Sequence, residues 1–314
     1  MRETQPLAAE PRRGASLAAF SLLPTGAAHP AARLASPQAS PQASPGTSPA
    51  TSNRAALSWL TLTALALWPH WVWAARRLAD GSDDPLGLAA LGVLAFAVGR
   101  LAPTLRPAAT PAWAGLAAAG VLASTAAHLG GAPALFSLLL AVLAMAATLA
   151  AFLPARTPRW PLFGLALLAM PVLASLQFFA GHPLRLVTAQ LSAWLLGAIG
   201  HDVQLSGTAL RISGNLVIVD APCSGVQMLW VAYFCACSWA WQLRLPDRVF
   251  ARRLAGVGVI VLAGNVLRNS VLVALEAGAA PVSKHVHEVV GLAVLAGVCA
   301  VVLGLVQRGQ NAQR

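Results

Sequence analysis

From residue 54 onward the chain is a succession of apolar stretches, separated by short loops. Most of these stretches approach the roughly 20 apolar residues that a helix needs to cross the hydrocarbon core of a bilayer. Only 10% of the residues are charged, against about 25% in typical soluble domains. The sequence therefore predicts an integral membrane protein whose membrane part is all α-helical.

We predict eight spans that form a polytopic bundle. They cover residues 55–75, 86–102, 112–128, 132–153, 161–180, 221–242, 254–276 and 287–307. A ninth apolar segment, 184–200, also carries Arg185, Thr188, Gln190 and Ser192, while its apolar residues recur at three- and four-residue steps. This pattern is typical of an amphipathic helix at the membrane surface. We expect that segment to lie at the outer interface rather than to cross.

The first 53 residues have a different composition from the rest of the chain. Ala, Pro and Ser dominate, and the near-repeat Ala-Ser-Pro-Gln occurs at 35–38 and 39–42. A segment with few large apolar residues and frequent Pro cannot offset the entropy cost of ordering. We therefore predict a disordered tail over residues 1–53 and a transmembrane domain over 54–310.

The positive charge of the chain is better explained by membrane topology than by nucleic-acid binding. The net charge is +11, but the arginines are scattered over short loops instead of forming a basic stripe with aromatic residues. Lys and Arg accumulate on the cytoplasmic side of membrane proteins. With eight spans and 184–200 outside, both termini are cytoplasmic, and so are Arg100, Arg106, Arg156, Arg159 and the cluster from Arg244 to Arg253.

Three residues with chemical potential lie in three consecutive apolar segments of the C-terminal half. Cys223, Arg268 and His287 supply a nucleophile, a permanent cation and a group that can move a proton. Polar side chains inside a membrane are costly and usually functional. The predicted topology places all three at the outer face. Pro222 is a favoured first helical residue, which would put the thiol near a helix N-terminus, a position that lowers the pKa of a cysteine.

The remaining cysteines are interpreted as small apolar residues. Cys235, Cys237 and Cys299 lie in apolar segments without paired spacing, so neither a disulfide framework nor a zinc site is indicated. The loop before Cys223 alternates β-branched and polar residues and contains Gly207 and the pair Gly214-Asn215. We expect a small β-hairpin there, with one of these positions at the turn.

The three blocks around these residues carry a family resemblance. Val219-Asp220-Ala221-Pro222-Cys223-Ser224-Gly225, then Asn265-Val266-Leu267-Arg268, then His287-Glu288-Val289-Val290-Gly291 resemble the signature blocks of the exosortase and archaeosortase family. Pro222 is a departure, because the family more often has Ala before the cysteine. The resemblance covers roughly the last hundred residues well and the earlier part only in its hydrophobic rhythm.

The resemblance implies a membrane-embedded cysteine protease or transpeptidase in the bacterial inner membrane, with its active site facing outward. Cys223 would be the nucleophile, Arg268 the stabiliser of the oxyanion or thiolate, and His287 the acid and base. The implied partners are exported proteins with a C-terminal sorting tail, the membrane lipid and an unidentified acceptor. No nucleic acid, cofactor or metal is implied.

Other interpretations of the same residues remain open at this stage. His285 competes with His287 for the role of base, and His285, His287 and Glu288 do not form one of the strong zinc patterns. A non-enzymatic transporter could use Arg268 and the histidines to line a path. A glycan-handling membrane protein is a further alternative, although that class would not need Cys223.

Overall fold

The computed structural model of the chain describes residues 49–212, 214–219, 224–276 and 283–311. Nearly all of the predicted disordered tail lies outside these residues, and so does Cys223. Ten α-helices, a short 3₁₀ helix at Ala102–Thr104 and one small sheet make up the described part of the chain. The helices are α1 (Pro49–Ala66), α2 (Trp68–Ala79), α3 (Leu86–Leu101), α4 (Pro111–Leu129), α5 (Ala134–Phe152), α6 (Trp160–Leu168), α7 (Leu173–Ala198), α8 (Val226–Gln242), α9 (Asp247–Glu276) and α10 (Lys284–Asn311).

The predicted class, an α-helical polytopic membrane protein, is confirmed, but the number of spans differs from eight. Within the described residues, five helices are long and apolar enough to cross a membrane, or six if the bent pair α6–α7 is one span. The first predicted span is divided into α1 and α2 at Leu67, just before Pro69. The α8 helix has 17 residues, the lower end of the range for a spanning helix.

The largest departure from the predicted spans occurs at residues 161–180. This stretch is broken after α6, and α7 leaves at an angle of 95°. Pro171 explains the break, because proline lacks the backbone N–H that a helix interior requires and disfavours helical geometry at the preceding residue. The α6 helix has only nine residues, about 14 Å of helix against about 30 Å of hydrocarbon.

The segment 184–200 is helical as expected, but it continues from residue 173 as the larger part of α7. Two of its polar side chains face protein, whereas Gln190 is exposed. Thr188 and Ser192 are fully buried, and Ser192 Oγ donates to the Val266 carbonyl of α9 at 3.4 Å. Its apolar residues Val187 and Trp194 are exposed instead. Thr188 and Ser192 are therefore directed towards α9.

The segment predicted as a hairpin is a three-stranded antiparallel sheet, with turns at both candidate positions instead of one. Strands β1 (Val203–Ser206), β2 (Ala209–Ile212) and β3 (Asn215–Ile218) are paired in that order. Gly207 and Gly214 have φ values of +61° and +85°, which only glycine adopts without strain. Leu210 and Ile212 pack the sheet onto α7 and α9. Strand β3 then leads the chain towards Cys223.

The α8 helix occupies the centre of the C-terminal half. It packs against α6, α7, α9 and α10, and its residues Trp230, Ala236 and Ala240 belong to the main buried cluster. The contact with α6 is very close, because a Cβ at Gly164 would lie 2.5 Å from Cys237 Sγ. Trp230 Nε1 also donates to the Leu168 carbonyl at the end of α6.

Two carboxylates fasten elements that are distant in sequence. Asp247, the first residue of α9, accepts hydrogen bonds from the backbone N–H groups of Arg159 and Trp160 at the start of α6, at 2.8 and 2.9 Å. Asp83, in the loop between α2 and α3, accepts from the Ala174 N–H at the start of α7 and from Arg77 Nε. Both carboxylates thus stabilise the positive ends of helices.

Candidate active site

Ser224 and Gly225 form a sharp turn directly before α8. Residues 220–223 lie outside the described residues, whereas Ser224 and Gly225 are described and directly precede α8. Gly225 has φ +82°, a left-handed conformation in which a side chain would be strained. Regular helix begins at Val226, three residues beyond Cys223. Glycine at position 225 therefore permits the turn that directly precedes α8.

Ser224 is buried and fully engaged in hydrogen bonds. Only 3% of the surface of Ser224 is exposed. Its Oγ donates to Gln177 Oε1 of α7 at 2.8 Å and accepts from the Val226 N–H at 3.3 Å. The second bond satisfies one of the free amide groups at the helix start. Ser224 thereby joins α8 to α7 beside Cys223.

Gly225 rests directly on Asn265 of α9. A Cβ at position 225 would lie 2.9 Å from the Asn265 side-chain amide, so a larger residue does not fit. Asn265 is buried, and its Nδ2 donates to Thr188 Oγ1 of α7 at 3.1 Å. The turn before α8 is therefore held from two sides, by α7 and by α9.

Arg268 lies one helical turn after Asn265 and is half-buried against α10. The nearest approach is at Gly291, where a Cβ would lie 3.3 Å from Arg268 Nε and 3.4 Å from Nη2. The absence of a side chain at Gly291 gives the guanidinium room beside α10. This role for the glycine of the third sequence block was not foreseen from the sequence.

The two competing histidines have different environments. His287 is half-buried and lines the same cavity as Arg268. His285 has a side chain that is 93% exposed, and its ring nitrogen lies 3.8 Å from a Glu288 oxygen. The geometry therefore favours His287 over His285 as a site residue. Within the described part of the chain, no three His, Cys, Asp or Glu side chains are grouped to hold a metal ion.

A cavity of about 520 Å³ brings these residues together. Its polar lining includes Arg268 and His287, together with Gln227 and Gly225 from the start of α8. Apolar side chains of α8 and α10 continue the lining: Met228, Val231, Leu292 and Leu295. The cavity therefore places a cation and an imidazole next to the turn that follows Cys223, above an apolar wall. This arrangement can bind a substrate with a polar end and an apolar segment.

Asp84 is a site residue that sequence reasoning missed. It lines the cavity with Arg268 and His287, and its Oδ2 accepts from Gln227 Nε2 at 3.3 Å. In the sequence it is one of three acidic residues between α2 and α3, and the spacing gives no sign of Gln227, which lies 143 residues away. A second cavity of about 430 Å³ shares Asp84 and Gln227 and includes Gln177 and Ser224. The turn at 224–227 lies between the two cavities.

The three described cysteines are free and lie away from this cavity lining. Cys237 is buried at the α6–α8 contact. Cys235 of α8 and Cys299 of α10 are neighbours, with their sulfur atoms 3.9 Å apart. Their positions agree with the prediction that they pack as small apolar residues.

Comparison with known proteins identifies a family. The model of the family described as transmembrane exosortase (Exosortase_EpsH) matches residues 73–304, more than half of the chain. The match extends well beyond the C-terminal blocks that carry the sequence resemblance and includes α3 to α6. A search of curated proteins gave no significant match, and a search of solved structures gave none either.

Proposed function

Because the chain belongs to the transmembrane exosortase family, we propose that it is a cysteine protease or transpeptidase that cleaves the C-terminal sorting tail of exported proteins. The observation that carries the proposal is the cavity in which Arg268 and His287 meet the turn following Cys223. The turn directly precedes α8, Arg268 comes from α9 and His287 comes from α10, so the fold assembles the cavity from three separate segments. We assign Cys223 as nucleophile, Arg268 as anion stabiliser and His287 as acid and base.

The reaction begins when His287 takes the proton of the Cys223 thiol and the thiolate attacks the substrate carbonyl carbon. The resulting tetrahedral intermediate carries its negative charge on oxygen, next to the Arg268 guanidinium. His287 then gives the proton to the leaving amine as the C–N bond breaks, which leaves a thioester on Cys223. Water or an acceptor amine attacks that thioester and regenerates the thiol.

The apolar part of the cavity supports a membrane-borne substrate. Leu292 and Leu295 extend along α10 below His287, and Val231 extends along α8 below Gly225. A tail with an apolar segment can pack against these side chains while its scissile peptide reaches the polar end. In this proposal the site faces the outer side of the bacterial inner membrane, where an exported protein arrives.

The proposal is tested by replacing Cys223 with Ala and with Ser. Both variants are expected to insert into the membrane and to leave the substrate tail uncleaved, because neither side chain supplies a thiolate. The measurement is the mass of a tailed reporter protein co-expressed with each variant. Matched controls are Cys235→Ala, Cys237→Ala and Cys299→Ala, which are expected to process the reporter. Normal processing by Cys223→Ala would remove the cysteine mechanism and favour a transporter or glycan-handling role.

A further inference from the structure

We propose that a cavity at the opposite end of α8 from the candidate active site binds the phosphate headgroup of an anionic phospholipid. This basic cavity has a volume of about 790 Å³ and is bounded by the ends of α3 and α8 and by the loop between α5 and α6. Gln242 lines it, whereas Gln227 lines the candidate active site. These two residues are separated by about 22 Å along the helix, at 1.5 Å per residue. The inference does not depend on the proposed function.

Three arginines from three separate segments line the basic cavity. Arg100 is in the last turn of α3, Arg156 is in the loop between α5 and α6, and Arg244 follows the end of α8. Among the described residues that line the cavity, none is acidic. Within the described part of the chain, none of the three guanidinium groups takes part in an ion pair. Like charges around one cavity repel each other, and a bound phosphate relieves that repulsion.

The carboxylate nearest to Arg244 in the sequence does not neutralise it. Asp247 instead accepts hydrogen bonds from backbone N–H groups at the start of α6. The positive charge of the basic cavity is therefore left for a ligand, and a phosphate offers guanidinium groups the oxygen acceptors that they bind most strongly.

Arg244 has a backbone conformation that ordinarily favours glycine. Its φ is +51°, and among the described residues it is the one non-glycine residue with a positive φ. Its N–H donates to the Trp241 carbonyl, and the Leu245 N–H donates to the Ala240 carbonyl, the pattern that usually ends a helix with glycine at this position. A side chain is strained there, so the end of the helix alone does not call for an arginine. Contact with an anion in the cavity offsets the strain.

Membrane topology alone does not explain this convergence of arginines. Cytoplasmic enrichment requires positive residues on one side of the membrane, but it does not require them to share a cavity. Arg248 and Arg252 in the first turns of α9 are exposed and lie outside the lining of the basic cavity. They provide a comparison in which the charge is the same and the cavity is not involved.

An aromatic wall favours a lipid over free phosphate as the source of the anion. Phe96 of α3 and Trp241 of α8 both line the basic cavity, and their rings meet edge to face with centroids 6.0 Å apart. Phe96 is 58% exposed, and Leu91, further along α3, is 50% exposed. Aromatic side chains with this mixture of polar and apolar surroundings are typical of the membrane interface. An acyl chain can pack along α3 while its phosphate reaches the arginines.

The experiment uses the purified full-length protein in a neutral detergent. Native mass spectrometry measures the Kd of the first bound lipid for phosphatidylglycerol and for phosphatidylcholine with the same acyl chains. The test variant is the double substitution Arg100→Gln with Arg156→Gln, and the control of equal charge is Arg248→Gln with Arg252→Gln. A third arm adds glycerol 3-phosphate, which carries the phosphate without the acyl chains.

The unmodified protein is expected to bind phosphatidylglycerol about tenfold or more tightly than phosphatidylcholine, because each basic residue near an anionic headgroup contributes about fivefold. The test variant should bind phosphatidylglycerol about 25-fold more weakly if the two contributions add, with its phosphatidylcholine affinity unchanged. The control variant should keep the affinity of the unmodified protein. Glycerol 3-phosphate at the concentration of the lipid should not displace it.

Arg244→Gly separates the loss of a ligand contact from the loss of folding. Glycine suits the backbone at this position, so the variant should unfold in neutral detergent at a temperature no lower than that of the unmodified protein. Its affinity for phosphatidylglycerol should nevertheless fall about fivefold. An unchanged affinity would overturn the assignment of Arg244 to the site.

Equal affinity of the unmodified protein for the two lipids would overturn the inference. Equal weakening in the test and control variants would overturn it too, because binding would then follow the overall charge and not the cavity. Displacement of the lipid by glycerol 3-phosphate would overturn the lipid as the ligand. Tail cleavage is not measured in any arm, so these results stand apart from the success or failure of the proposed function.

Discussion

His285 and His287 lie two residues apart at the start of α10, and their side chains lie in different surroundings. Residues two apart on a helix point about 200° away from each other. Residues four apart share a face, so His287 is on the side of Gly291, which contacts the Arg268 guanidinium. His285 projects into solvent. The periodicity of a single helix therefore explains which histidine lines the cavity.

This difference leads to a prediction for the two histidines. His287→Ala should abolish most tail cleavage and slow the alkylation of Cys223 at neutral pH, because the group that takes the thiol proton is lost. His285→Ala should leave both rates close to those of the unmodified protein. The measurement is single-turnover cleavage of a tailed peptide by purified variants. An inactive His285→Ala beside an active His287→Ala would reverse the assignment.

Arg268 is predicted to act through the shape of its side chain as well as through its charge. Arg268→Lys should lose on the order of 10² to 10³ in kcat, the usual cost of removing one donor to an oxyanion. An ammonium cannot reproduce the planar fork of a guanidinium. Steady-state kinetics of tail cleavage test this, with Arg252→Lys, an exposed arginine outside the cavity lining, as the control. Full activity in Arg268→Lys would show that charge alone suffices.

The sequence identified Arg268 and His287 because polar side chains in apolar segments are conspicuous. Asp84 was not identified, because an acidic residue in a short polar loop looks like any solvated residue. Its importance depends on Gln227, 143 residues away, and on packing that brings the loop before α3 beside the start of α8. Gln177 escaped notice for the same reason, since its partner Ser224 lies across a tertiary contact.

At the scale of elements, length and hydrophobicity predicted α3, α4, α5, α9 and α10 well, because each forms a single uninterrupted helix. The break between α6 and α7 was missed. Apolar residues flank Pro171 on both sides, so hydrophobicity continues where the helix does not. The packing face of α7 also depends on Thr188 and Ser192 finding partners on α9. A hydrophobic pattern alone cannot show whether a polar helix face packs against protein or faces water.

The close contact of α6 with α8 gives a stability prediction. Gly164→Ala places a Cβ 2.5 Å from Cys237 Sγ and should destabilise the protein by about 1–3 kcal/mol, as overpacking usually does. Adding Cys237→Ala removes the obstructing sulfur and should restore most of that loss. Thermal unfolding in detergent measures both variants, with Gly197→Ala, which meets open space, as the control. No recovery in the double variant would contradict this packing.

At the scale of the whole molecule, the positive residues predict the orientation in the membrane. Arg244 and Arg248 lie where the chain passes from α8 into α9, at one end of these helices. The sheet and the first residues of α10 lie at the other end, where α9 finishes. Cytoplasmic enrichment of Lys and Arg then puts the cavity on the outer side. The prediction concerns the sidedness of the cavity and does not depend on the number of spans.

Single cysteines test the orientation in a background without other accessible thiols. Cysteines at Ser206 and Ser283 should react with an impermeant maleimide added to intact cells or spheroplasts, and a cysteine at Gln242 should react only after lysis. All three positions are exposed, so the membrane is what separates them. Labelling of Gln242→Cys from outside, with protection of Ser206→Cys, would place the cavity in the cytoplasm and exclude exported tails as substrates.

The bonds at the two ends of α6 have a consequence for synthesis on the ribosome. The amide groups at its start donate to Asp247, which is synthesised 87 residues after Trp160. The carbonyl of Leu168 accepts from Trp230, which is synthesised 62 residues after it. At about 5–20 residues per second, the first delay lasts roughly 4 to 17 seconds. Until Asp247 has been made, the amide groups at the start of α6 lack this partner. The middle of this protein is therefore completed by its C-terminal half, after translation has moved past it.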